Sequence, residues 1–68
     1  MIIEFADNQG SLGKVRGSAI IAVLRSTAFI VNKVHASGGY FPAILLLEGG
    51  HRVETNTDFE AIVRAWRS

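Results

Sequence analysis

His35 and His51 are the only imidazoles in this chain, and there is no cysteine. A catalytic nucleophile would therefore have to be a Ser, a Thr or a Lys. The serines are Ser11, Ser18, Ser26, Ser37 and Ser68, and none lies in a Gly-x-Ser-x-Gly elbow. The carboxylates are Glu4, Asp7, Glu48, Glu54, Asp58 and Glu60. Asp58 and Glu60 stand two apart, a spacing that turns side chains away from each other on a helix. General acid–base work needs converging groups in a pocket, so no catalytic site is expected. The two histidines fall on different expected strands and could meet across a sheet. Two imidazoles alone do not build a structural metal site, so no metal and no cofactor is expected.

Gly10-Ser11-Leu12-Gly13-Lys14-Val15-Arg16-Gly17 invites a phosphate-loop reading. Its spacing matches neither the dinucleotide fingerprint nor the Walker loop, and no clear helix follows. A loop and a short strand over Lys14-Val15-Arg16 is expected instead. Seven cations face six carboxylates, for a net charge of +1. The cations are interleaved with acids, without the basic cluster of a nucleic-acid binder. Tyr40-Phe41, between two glycines and Pro42, is the aromatic pair that periodicity leaves unexplained. Lys14, Arg16, Lys33, Tyr40, Phe41 and Arg52 are accordingly the candidate ligand- or partner-binding residues.

Elements must position these groups, and 68 residues allow one domain. A chain this short buries about 60% of its unfolded surface, which leaves its core marginal. Yet 49% of the residues are apolar and 19% charged, a balance that excludes a disordered chain. Met1 to Ala6 reads as a half-buried strand, with Ile3 and Phe5 on one face. Asp7 to Gly10 is a turn. The density of β-branched residues favours strands at about 18–25 and 28–36, joined at Arg25-Ser26-Thr27, over a helix from Ser18. In the first of these, Ile20, Ala22 and Leu24 face one way and Ala19, Ile21 and Val23 the other. Pro42 to Glu48 is a second run apolar on both faces. Gly49-Gly50 signals a two-residue hairpin turn, and the return strand begins at His51. Thr57-Asp58-Phe59-Glu60 reads as a capping box opening a helix over about 57–67. Its stripe, Phe59, Ile62, Val63 and Trp66, should be buried against the sheet.

The stretch from Ile44 to Ile62 joins an apolar strand, a glycine turn, a short strand and a Phe59-Glu60-Ala61-Ile62 helix start. In this it resembles the small flagellar and swarming-motility protein family and its phage and prophage relatives. The resemblance implies a small non-enzymatic protein of bacteria or their phages, with no catalytic residues to transfer. Thr27 to Phe41 is long for that pattern.

The expected architecture is α+β: an antiparallel sheet of four to six short strands with one C-terminal helix. The N-terminal stretch has no basic leader or apolar segment of a signal peptide, so a cytoplasmic location is expected. The Ala19–Val31 stretch is broken by Arg25-Ser26-Thr27 and is too short to span a membrane. The expected function is that of a non-catalytic interaction protein working as a homo-oligomer, a dimer or higher. One helix covers one sheet face, and apolar runs on both faces call for a second copy on the other. The alternatives are a small-ligand or nucleotide binder with an inter-subunit pocket near Lys14, Arg16, Lys33 and Tyr40, a phage inhibitor of a host protein, and nucleic-acid binding.

Overall fold

A computed structural model describes residues 1–68. The chain is α+β, with seven short strands in three antiparallel sheets and one C-terminal helix. Strands β1 (Ile2–Ala6) and β2 (Leu12–Arg16) form an N-terminal hairpin. Asp7 closes its turn, its Oδ1 accepting from the Gln9 amide at 2.9 Å and the Ser11 amide at 2.8 Å. A 3-10 turn at Gly17–Ala19 leads to β3 (Ile20–Arg25). Strands β4 (Ile30–Val31) and β5 (Gly39–Tyr40) are two-residue strands paired with each other. Strands β6 (Pro42–Leu47) and β7 (His51–Asp58) lead into helix α1 (Phe59–Arg67). No helix is long and apolar enough to cross a membrane.

The main sheet has the order β3-β6-β7. The expected hairpin between 18–25 and 28–36 does not form, because β3 pairs with β6. Most of 28–36 is turn rather than strand. Asn32 explains this: its side chain accepts from the Val34 amide at 3.0 Å and its carbonyl from the His35 amide at 3.1 Å. Such a local turn competes with extended pairing. A β-bulge between Ile20 and Ala22 also changes which residues share a face. Ile20 and Val23 both belong to the core, whereas the unbroken alternation set them on opposite sides.

The core consists of Ile3, Ile20, Ala43, Leu45 and Ile62, with Phe5, Val15, Val23, Leu47, Val53, Phe59 and Trp66 packed around it. Alternation in β6 sends Ala43 and Leu45 to that core and Ile44 and Leu46 to the opposite face. Thr55 is buried in β7, and its hydroxyl donates to the Ala43 carbonyl at 2.7 Å. Thr57 accepts the Ala6 amide at 2.8 Å and so joins the N-terminal hairpin to β7.

That bond also corrects the expected capping box. With Thr57 engaged by β1, β7 runs on to Asp58, which caps α1 by accepting the Glu60 amide at 3.1 Å. Along the helix stripe only Ile62 is fully buried; Phe59, Val63 and Trp66 are half-buried. Trp66 sits at the rim because its indole N–H donates to the Gly17 carbonyl at 3.1 Å, keeping the polar end of the ring near the surface.

The β6–β7 hairpin closes through three residues, Glu48 to Gly50, since Leu47 lies opposite His51. The expected two-residue turn is one residue too short. Both glycines do have positive φ, +82° at Gly49 and +80° at Gly50. Nothing lies within 4 Å of a Cβ built on Gly50, so a substitution there tests backbone conformation alone. Gly50→Val should cost about 1–2 kcal/mol or more in chemical denaturation, and Gly50→Asn clearly less. A Val variant as stable as the parent would contradict this loop.

Candidate functional site

The six candidate residues are divided among four places. Lys14 and Arg16 are exposed on β2, where they border a groove of about 560 Å³ between the N-terminal hairpin and α1. Its apolar lining includes Ile3, Val15, Ile62, Ala61 and Ala65. The groove exists because the helix side presents alanines one turn apart. Lys14 lies 3.6 Å from Glu4, an exposed pair worth little in stability. Arg16 has no carboxylate within 4 Å. Arg52 is exposed on β7, 3.9 Å from Glu54. Lys33 is exposed in the turn after β4 and borders neither cavity. Within one chain, then, Lys14 and Arg16 do not share a pocket with Lys33 or Tyr40.

Tyr40 and Phe41 line a second cleft, of about 240 Å³, at the N-terminal end of α1. Phe29 meets Phe41 edge-on with ring centroids 5.1 Å apart. The Arg25 guanidinium lies 4.9 Å from the Phe41 ring centre, within cation–π range. Gly39 allows this packing, because a Cβ there would strike the Ile30 carbonyl and the Phe29 ring. The Tyr40 hydroxyl donates to the Asn56 carbonyl at 2.8 Å, which ties the segment to β7.

His35 closes the same cleft. Its Nε2 is 3.2 Å from Asp58 Oδ2, while the other oxygen of Asp58 caps the helix. Its Nδ1 faces the Ser37 amide at 3.4 Å. In the tautomer that suits both neighbours, Nε2–H donates and Nδ1 accepts. Both ring nitrogens are thus spent on holding the loop, and neither is directed at a serine hydroxyl. His51 is exposed beside the hairpin loop, so the two imidazoles do not meet across the sheet. No group of three or more His, Asp or Glu side chains converges to hold a metal ion.

A further feature is apolar. The face of the main sheet opposite the core carries Ala22, Leu24, Ile44 and Leu46. It is only partly covered: Leu24 is 43% exposed, while Ala22, Ile44 and Leu46 are half-buried. Arg52 and Glu54 flank it on β7, as register partners of Leu46 and Ile44. The apolar alternation of both runs was readable in the sequence. The Arg25–Phe41–Phe29 stack and the His35–Asp58 contact were not, because they join residues far apart in the chain.

No protein-family model matches this chain, and neither the curated proteins nor the solved structures searched contain a match.

Asp58 holds two structures together, so its replacement is informative. Asp58→Ala should cost about 1 kcal/mol through the lost cap. Asp58→Asn, whose amide oxygen still accepts from Glu60, should cost clearly less. Equal losses in denaturant titrations would deny the capping role.

Proposed function

We propose that this chain is a small non-catalytic interaction protein of bacterial or phage type that works as a homo-oligomer in the cytoplasm. The observation that carries the reading is the part-exposed apolar face of Ala22, Leu24, Ile44 and Leu46, with Leu24 exposed and the other three half-buried. Contiguous apolar surface of this kind marks an interaction site on soluble proteins. A second copy is the favoured occupant for two reasons. Only nine residues of 68 are buried, so a single chain has a thin core that association would enlarge. The patch is also flanked by one acid and one base, Glu54 and Arg52, which can face their counterparts across a two-fold axis. The resemblance of residues 44–62 to the flagellar and phage family supports the same non-enzymatic class. Action on a host protein, as a phage inhibitor, would use the same surface.

A small-ligand reading has an observation of its own, the 560 Å³ groove with unpaired Arg16 at its mouth. A thermal-shift screen against nucleotides and small carboxylates tests it: stabilisation that Arg16→Gln removes would favour the groove.

Sedimentation equilibrium at micromolar concentration tests the principal reading. The parent should sediment at a multiple of the chain mass. Leu46→Glu and Ile44→Ser, on the open face, should shift the distribution toward single chains while far-UV circular dichroism stays unchanged. A parent at the mass of one chain, with no concentration dependence, would contradict the proposal.

A further inference from the structure

The main sheet has a second unsatisfied feature, the outer edge of β3. β3 pairs with β6 alone. The backbone hydrogen bonds outside helices and strands make no use of Ala22 to Arg25. The opposite side of the sheet is different. β7 is met by the N-terminal hairpin through the Asp7–Thr55 bridge and the Ala6–Thr57 hydrogen bond. The free edge of that hairpin, β2, carries exposed Lys14 and Arg16. Charged side chains on an edge strand are a standard guard against strand addition. From Ile20 to Leu24, β3 has no charge and no proline. Of these two edges, β2 carries cations along its length, whereas β3 is apolar from the bulge at Ile21 up to its last residue, Arg25, and its outward backbone groups are unpaired.

We propose that β3 pairs antiparallel with β3 of a second copy, about a two-fold axis at Val23. The inference rests on the homo-oligomer reading and adds a second interface to it. A two-fold axis normal to the sheet keeps the core sides together, so only residues on like faces can be opposed. The axis at Val23 sets Ala22 opposite Leu24 of the second copy, small against large on the open side. It sets Ile21 opposite Arg25 of the second copy, where the arginine stem can cover the exposed isoleucine. An axis at Arg25 would oppose like charges. Edge pairing joins two three-stranded sheets into one of six strands but leaves the open faces exposed. Covering those faces needs a second two-fold axis, perpendicular to the first. Two such interfaces close as a tetramer with three mutually perpendicular two-fold axes.

Charge placement at Ile21 tests the edge directly, because its side chain is largely exposed and lies outside the core. The parent should sediment as four chains. Ile21→Lys sets a cation opposite Arg25 of the second copy and should halve that mass. Ile21→Glu sets a carboxylate there and should keep it. As an independent measurement, Val23→Cys introduces the only cysteine in the protein. Directly opposed residues on antiparallel strands have Cα atoms about 4.5–5.5 Å apart, within disulfide range. Mild oxidation should link most of the Val23→Cys chains in pairs and leave Glu48→Cys, in the exposed hairpin loop, mostly unlinked. A parent of two chains, with no Val23→Cys link, would overturn the edge pairing and leave the face-covering oligomer standing. A parent of one chain would overturn both. Equal masses for Ile21→Lys and Ile21→Glu would also overturn the edge pairing.

Discussion

Strand β6 is apolar on both faces, and the rest of the chain is arranged around it. Its six residues include no charge and no side-chain hydrogen-bonding group. It takes the centre of the main sheet because both of its edges then find partners, β3 and β7. Ala43 and Leu45 become wholly buried beneath α1 and the N-terminal hairpin. Ile44 and Leu46 have the same apolar character but are only half-buried. A helix of nine residues is about 14 Å long at 1.5 Å per residue and reaches one face only.

The elements on the covered side are held by a few directed contacts. Thr55 satisfies the Ala43 carbonyl within the core, and Thr57 captures the Ala6 amide. The indole of Trp66 fastens the end of α1 to Gly17. No buried side-chain nitrogen or oxygen is left without a partner. The polar interior is therefore complete in one chain, while the apolar second face of the sheet stays part-exposed.

The hairpin and helix at the C-terminal end were legible in the sequence because their signals are local. Gly49-Gly50 could only mark a turn, and the stripe from Phe59 to Trp66 could only be a helix. Their details were set by tertiary contacts. Thr57 would cap the helix in isolation, but β1 claims it and the cap passes to Asp58. The region from Ser18 to Tyr40 was less legible. Its β-branched residues correctly indicate strand for β3, yet propensity is silent on partners, and β3 chose β6 over the neighbouring segment. The bulge at Ile21 left no mark in the alternation. Lys14, Arg16, Lys33, Tyr40, Phe41 and Arg52 were chosen by residue type, and the fold scatters them. The open face was anticipated by counting apolar residues on two sides of a strand.

In the proposed oligomer a second copy completes the cover of β6, so stability depends on protein concentration. Anything that binds only the folded state raises the melting temperature by mass action, and in the proposed oligomer that partner is the chain itself. Thermal unfolding across about two decades of protein concentration is the most direct measurement. For the oligomer, Tm should climb by several degrees per tenfold increase, since each decade adds on the order of 1 kcal/mol. A Tm that stays constant over the whole range, for a chain sedimenting at its single-copy mass, would contradict it.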